Sequence, residues 1–304
     1  MILAITGGTG FVGSHLLPLA VTQGHVIRAL TRRPQPPLPG VKWIAGDLAS
    51  PGALCDGSDA VIHIAGTINA ATRAAFDAGN VAGTRSIVAA AQVSGVRRFV
   101  HVSSLAAREP GLSDYGASKA AAEAVVAASG LDAAIVRPPG VYGPSDRETL
   151  PVFQMVARGF AVLPGPGRFS LIEVGDLAAA LLATAASDFT GVAEIDDGQR
   201  DLRGAGGYSH ADLALAIGAA LGQRPQLVRL STAVLRAGAV IATALARRGG
   251  QPMLSHDRAR YLAHPDWIVT PGAGLPAAIW RPAIDLPTGL AATIAWYRVH
   301  GWLR

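Results

Sequence analysis

The sequence predicts an α/β chain, with a doubly wound parallel sheet first and a smaller α+β region after it. Three observations predict this. Over the first 144 residues, apolar runs of four to seven residues alternate with helical patterns, the rhythm of a parallel sheet covered on both faces. The first run leads directly into a glycine triplet that opens a helix. Past Pro144 the rhythm breaks into helix-like pieces with only isolated short runs between them.

Taken in order, the strands are read from "ILAI" (2–5), "HVIRAL" (25–30), "VKWIA" (41–45), "AVIHIA" (60–65), "RFVHVS" (98–103) and "DAAIVRP" (132–138). Their aliphatic and β-branched content, with Gly, Pro or Asp at the edges, is what a buried strand needs. Helical patterns lie near 11–23, 80–94 and 115–129. Beyond 144, helices are expected near 150–158, 176–186, 209–221, 232–247 and 288–299. Strands are expected there at "FSLIEV" (169–174) and "VAEID" (192–196), and a loop at "LPGPGR" (163–168). The chain therefore divides into 1–144 and 145–304, with strands free to cross the boundary.

Composition narrows function by exclusion. Half of the 304 residues are hydrophobic and 15% are charged, enough for a large core and against disorder. The formal charge of +5 comes from scattered Arg, with no basic stripe interleaved with aromatics, which argues against nucleic acid. Cys55 is the only cysteine, which excludes an intrachain disulfide and a cysteine zinc site. The eight His show no H-x-x-x-H spacing, so no metal is expected. The first residues carry no basic segment or cleavage site, which predicts no signal peptide and a cytoplasmic location. "TAVLRAGAVIATALARR" (232–248), interrupted by Arg236, is too short to span a bilayer; it reads first as a buried helix and second as an interfacial one, and membrane contact is not expected.

"ILAITGGTGFVGSHL" spaces Gly7, Gly10 and Gly13 as G-x-x-G-x-x-G. In so glycine-rich a chain the spacing alone would occur by chance about half a time. Its place between a strand and a helix is what informs. There the glycines allow a tight turn, close approach to a pyrophosphate and helix-on-strand packing, while the helix start offers free N–H groups. Thr9, Phe11 and Val12 belong to the same candidate site. An NAD site then usually has a carboxylate at the end of the second strand. Here Thr31, Arg32 and Arg33 stand in that place, with nothing to repel a 2′-phosphate and two guanidiniums to bind one, so NADP(H) is expected and NAD is the second choice. The competing reading is a pair of solvated loop arginines. Asp47 in "AGDLAS" is placed to meet an adenine amine, or else to cap the turn after it.

"SDYGASKAAAE" (113–123) holds one of only two lysines in the chain, Lys119, four residues after Tyr115. On a helix these two share a face, and the Ala run favours a helix. Lys, unlike Arg, offers a compact ammonium beside a titrating phenol.

Together these segments resemble the extended short-chain dehydrogenase/reductase superfamily, or NAD-dependent epimerase/dehydratase family. The landmarks are "TGGTGFVG", "GDL" (46–48), "VIHIAG" (61–66), "NVAGT" (80–84), "VHVSS" (100–104), "YGASK" (115–119) and "RPPGVYGP" (137–144). "LTRRP" and "HPDW" further resemble bacterial members related to the complex I accessory subunit. The resemblance implies a Rossmann-type cofactor domain over 1–144 and a substrate-binding region over 145–304. It implies Tyr115 as acid/base, Lys119 lowering the phenol pKa and holding the nicotinamide ribose, and Ser104, rather than its neighbour Ser103, bonding the reacting oxygen. Leu48, Ala65, Gly66, Asn80, Val102, Pro138 and Val141 would line the cofactor.

Two departures bear on substrate. Gly140 stands where sugar-nucleotide enzymes usually carry Asn, and Phe169 where they carry Arg, with Arg168 one place off. This favours a reductase or dehydrogenase acting on a hydroxyl or ketone of a small or apolar substrate, with 232–248 as a core helix or a lid. An NAD(P)-dependent epimerase/dehydratase on a sugar-type substrate and a nucleotide-binding assembly protein are the alternatives. The Ala-rich helices near 80–94 and 115–129 would pair two copies in a homodimer.

Overall fold

The computed structural model describes residues 1–163, 165–199, 205–229 and 264–303. The helix expected at 232–247, with the apolar segment 232–248, lies outside the described residues. The chain opens as β1 (Ile2–Thr6), α1 (Phe11–Thr22), β2 (Val26–Thr31), β3 (Val41–Ala45) and β4 (Ala60–His63). A short α2 (Arg73–Asp77) runs through a π turn, Ala78–Ala82, into α3 (Gly83–Val93). β5 (Arg98–Val102), a 3-10 turn at Leu105–Arg108, α4 (Asp114–Ala127) and β6 (Asp132–Arg137) follow. Then come β7 (Gly140–Tyr142), α5 (Leu150–Ala157), β8 (Phe160–Leu163), β9 (Arg168–Phe169), β10 (Leu171–Glu173), α6 (Val174–Ala186) and β11 (Gly191–Glu194). The last described elements are β12 (Tyr208–Ser209), α7 (His210–Leu221), β13 (Gln226–Arg229), β14 (Asp266–Trp267) and α8 (Leu286–Val299).

The elements form two compact units interleaved in sequence. The first comprises Met1–Pro138, Val174–Ile195 and Thr270–Arg281; the second comprises Pro139–Glu173, Asp196–Val269 and Pro282–Arg304. The leading segment of the first unit runs to Pro138, and α6 and β11 belong to the same unit.

In the first unit seven parallel strands run in the order β11-β6-β5-β4-β1-β2-β3. α1 and α6 pack on each other over one face, α3 and α4 over the other. With helices on both faces the central strands are buried throughout: Ala60, Val61, Ile62 and His63 are all inaccessible. This is why their sequences read as continuous apolar runs rather than as alternation. Phe99, Ile87, Val88, Ala91 and Val126 build the core on the α3–α4 side. The strand order reverses between β1 and β4, and ligands of such sheets sit at the carboxyl ends of the strands flanking this point. α4 starts where it does because the Ser113 hydroxyl accepts the Gly116 N–H at 3.0 Å, with Asp114 in the positive first turn.

The second unit holds α5, α7 and α8 with small sheets pairing β7 with β10, β8 with β13, and β9 with β12 and β14. Tyr142, Phe153, Ile217, Leu290, Ile294 and Tyr297 form its core. α7 opens on a reciprocal Ser209–Asp212 capping box and closes on Gly222 at φ +77°. The strand expected at 169–174 is broken at Ser170, whose hydroxyl donates to Asp196 Oδ2 at 2.6 Å and whose N–H goes to the Trp267 carbonyl. Phe169 therefore pairs with Tyr208 and Trp267, while Leu171–Glu173 pairs with β7.

Candidate active site

Gly7 follows β1 at φ +76°, a left-handed conformation that glycine adopts without strain. A Cβ there would lie 2.7 Å from the Ala65 nitrogen, just past the end of β4. At Gly13, on the first turn of α1, a Cβ would lie 2.2 Å from the Gly7 carbonyl oxygen. The Gly10 N–H donates to that same carbonyl at 3.0 Å and closes the turn. The expected triplet is thus a physical cradle, pressed between β1, β4 and α1 at the switch point. Thr9 and Gly10 are exposed beside it and Phe11 and Val12 half-buried. α1 carries no acidic residue in its first turn, so its free N–H groups keep their attraction for an anion. These residues fit a dinucleotide pyrophosphate.

At the end of β2 the buried Thr31 hydroxyl donates to the Arg33 carbonyl at 2.6 Å, folding the chain so that Arg32 and Arg33 lie exposed. Neither guanidinium has an ion-pair partner among the described residues. Asp47 Oδ1 accepts the Ala49 and Ser50 N–H groups at 2.9 and 2.8 Å, so its carboxylate caps the turn that follows it. Leu48 packs under Gly83, where a Cβ would come within 2.8 Å of it.

The other end of the site is built from three elements. Lys119 on α4 is buried at 5% exposure and donates from Nζ to the Val102 carbonyl at the end of β5, 2.7 Å away. Burial pushes its pKa down to about 8, and the Glu123 carboxylate one turn further on opposes that shift. Asn80, in the π turn, accepts the Thr67 N–H at 2.6 Å and donates to the Thr67 carbonyl and the Ser118 hydroxyl. A Cβ on Gly66 would meet Asn80 Oδ1 at 2.9 Å and Lys119 Nζ at 3.7 Å. Gly66, Asn80 and Lys119 therefore enclose one small space that a side chain at position 66 would fill.

Tyr115, one turn before Lys119, is partly buried, and burial raises its phenol pKa while a hydrogen bond with Ser104 pulls it back. The Lys119 ammonium itself is engaged by the Val102 carbonyl. Ser104 also caps the 3-10 turn, accepting the Ala106 N–H at 3.2 Å. Ser103 points elsewhere; its hydroxyl donates to Glu123 Oε1. Of the remaining expected residues, Pro138 ends the first unit, with its carbonyl accepting the Leu105 N–H at 3.0 Å, and Val141 lies in β7 of the second unit.

Below this site runs a chain of hydrogen bonds that the motifs did not reveal. The Thr84 hydroxyl donates to the Asn80 carbonyl at 2.6 Å, so it accepts from His63 Nε2 at 3.0 Å. His63 Nδ1 must then accept from the Thr6 hydroxyl at 2.6 Å, and Thr6 Oγ1 in turn accepts the Ala65 N–H at 3.2 Å. This assigns His63 one neutral tautomer, consistent with a pKa lowered by burial to about 3. The chain links Asn80 to the Ala65–Gly66 exit of β4.

The NAD dependent epimerase/dehydratase family matches residues 3–194. The chain belongs to this family. It is an NAD(P)-dependent enzyme of the oxidoreductase and epimerase type, as the resemblance implied. Over 99% of its length it is 39% identical to the ceramide reductase of Caulobacter vibrioides, covering 96% of that protein. It is 34% identical to the 2-alkyl-3-oxoalkanoate reductase of Stenotrophomonas maltophilia, over 50% of this chain and 54% of that one. Among solved structures, Bordetella bronchiseptica WbmG in complex with NAD shares the fold at TM-score 0.74 and 20% identity, over 99% of this chain and 95% of that chain. Human SDR39U1 with NADPH shares it at TM-score 0.74 and 19% identity, over 97% and 99%.

Within this family member, sequence reasoning passed over His63, Thr84, Glu123, Arg137 and Glu194. Glu123 could have been found from its helical spacing, two turns beyond Tyr115. The others signal nothing until the strands are set in register. No described helix is long and apolar enough to cross a membrane.

Proposed function

We propose that this family member is an NADP(H)-dependent oxidoreductase that reduces a ketone, or oxidises the matching hydroxyl, on an amphipathic substrate with a long apolar body. The observation that carries the reading is the site geometry, with Lys119 beside Gly66 and Asn80 and Tyr115, one turn earlier on the same helix, facing Ser104, in a chain aligned end to end with a ceramide reductase. The exposed Arg32 and Arg33 support NADP(H) over NAD, since no carboxylate stands there to repel a 2′-phosphate.

The raised phenol pKa keeps Tyr115 protonated at neutral pH, which suits a general acid in the reducing direction. Tyr115 would give its proton to the carbonyl oxygen as negative charge gathers there, and the Ser104 hydroxyl would donate a second hydrogen bond to the same oxygen. The Lys119 ammonium would stabilise the phenolate left behind and hold the ribose hydroxyls. When bound, the nicotinamide supplies the hydride. The glycine cradle and the α1 N-terminus would hold the pyrophosphate, and Asn80 and Gly66 would shape the nicotinamide end.

The second unit is assigned to substrate. Arg168 there donates to the Gly206 and Gly207 carbonyls at 3.1 and 2.8 Å, and this supports a substrate without a diphosphate. A homodimer through the Ala-rich α3 and α4 is part of the same proposal. Testing uses NADPH consumption with long-chain 3-keto amphiphiles and, in parallel, chromatography of UDP-glucose incubated with a catalytic amount of oxidised cofactor, since epimerisation consumes none. NADPH consumption with the keto amphiphiles and unchanged UDP-glucose is expected; a UDP-sugar isomer formed with no NADPH consumed on any ketone would favour the epimerase reading.

A further inference from the structure

Ser104 sits on the turn between β5 and the 3-10 segment Leu105–Arg108, and one ion network grips that turn from both sides. Before it, the Ser103 hydroxyl donates to Glu123 Oε1. After it, Arg108 Nη1 reaches Glu194 Oε2 at 3.3 Å. Arg137 closes the ring. Its Nε and Nη2 donate to the two Glu123 oxygens at 2.8 and 2.6 Å, and its Nη1 reaches Glu194 Oε1 at 3.4 Å. Glu194 Oε2 also accepts the Thr270 N–H at 2.9 Å. Glu123 and Glu194 are 8% and 4% exposed.

Two carboxylates and two guanidiniums balance, and each carboxylate oxygen has a donor. A buried ion pair of this kind is weak evidence for stability, because apolar side chains of similar volume often do as well. What it supplies that apolar packing does not is a fixed direction at each bond. Glu123 lies on the helix that carries Lys119 and Tyr115, one and two turns back, whereas Ser103 and Arg108 flank Ser104 on its own turn. The ring therefore bolts the serine turn to the tyrosine helix.

We propose that Glu123 and Arg137 are positioning residues for the Ser104 hydroxyl, fixing it against Tyr115 through Ser103 on one side and Arg108 on the other. The inference rests on the reading of Ser104 and Tyr115 as the reacting pair. Tyrosine labelled with ¹³C at Cζ reports the phenol's hydrogen bond by NMR in the protein saturated with NADP⁺, with Tyr115→Phe assigning the resonance. Ser104→Ala is expected to move the Tyr115 resonance. Glu123→Gln is expected to move it in the same direction by most of that amount, and to add nothing in a Ser104→Ala background. Ser103→Ala, which keeps the ion pairs and so the fold, is expected to give a smaller shift of the same sign. On a turned-over ketone, Glu123→Gln should lower kcat about ten- to a hundredfold, and Ser103→Ala, which leaves the Glu123 carboxylate facing Lys119, should lower kcat by less with KM for NADPH unchanged. A Tyr115 resonance that moves in Ser104→Ala but stays in place in Glu123→Gln and Ser103→Ala overturns the inference alone. A resonance unmoved even by Ser104→Ala overturns the reading of the pair and the inference with it.

Discussion

Lys119 holds its ammonium in a wall that disfavours charge, and this has a consequence in pH. Its folded pKa of about 8 lies below the 10.5 of an exposed lysine, so the folded protein releases this proton earlier as pH rises. Below about pH 8 the buried ammonium works against folding; between 8 and 10.5 the unfolded chain holds more protons, and stability from this group rises with pH. Cofactor binding moves the opposite way, because an anionic ligand needs the ammonium. NADPH affinity followed by fluorescence should fall as pH rises through about 8, and Lys119→Met should flatten the curve and weaken binding at neutral pH. Lys119→Arg, with its wider head, should also weaken binding. Arg32→Ala should erase most of a preference for NADPH over NADH of about tenfold or more, about 1.4 kcal/mol; equal affinity in the wild type would contradict it. These residues were legible because their spacing is local: Tyr115 and Lys119 are one helical turn apart, and Thr31–Arg33 ends a strand. The choice between Ser103 and Ser104 rested on resemblance alone. In the structure the Ser103 hydroxyl is taken up by Glu123, whereas the Ser104 hydroxyl accepts the Ala106 N–H and acts on the Tyr115 phenol.

At the scale of elements, the β1–α1 junction depends on three surfaces touching with no side chain between them. Gly13→Ala places a Cβ 2.2 Å from backbone and must force α1 away from β1. A loss of about 1–3 kcal/mol in stability is expected, together with loss of NADPH binding. Gly10→Ala, whose Cβ would stand 3.3 Å from its nearest neighbour, should fold nearly as well as the wild type. Thermal melts with and without NADPH check both. The Thr6–His63–Thr84–Asn80 chain makes a finer prediction. Thr84→Ser keeps the hydroxyl and should keep cofactor affinity. Thr84→Val keeps the shape, strands His63 Nε2–H, and should cost about 1–3 kcal/mol. The opposite ranking would mean that packing, not hydrogen bonding, holds the floor of the site. Nothing in "VIHIAG" announced this role, since His63 acquires it only when the parallel register sets it beside Thr6 and His101. The break at Ser170 was hidden for the same reason: its cause is Asp196, twenty-six residues away.

For the molecule as a whole, the alternation of strands and helices was readable because every central strand is buried on both faces and so leaves an uninterrupted apolar run. The interleaving of the two units was not. "VAEID" has the pattern of any short strand, and only its parallel pairing with β6 makes it the edge of the large sheet. α3 and α4 pack side by side, with Arg85, Gln92 and Val93 exposed on α3. Light scattering at tens of micromolar protein should report a dimer, and a monomer there would count against pairing through these helices. The central claim is chemical: a ketone is reduced at a site where Tyr115 supplies the proton. Its most direct test is transfer of label from NADPH carrying deuterium at both positions of the reactive nicotinamide carbon to a long-chain 3-keto amphiphile, read by mass spectrometry of the product in wild type and Tyr115→Phe. One deuterium is expected on the carbinol carbon of the wild-type product, with a rate about 10² to 10⁴ lower in Tyr115→Phe at unchanged NADPH affinity. A product without label, or equal rates in the two proteins, would contradict it.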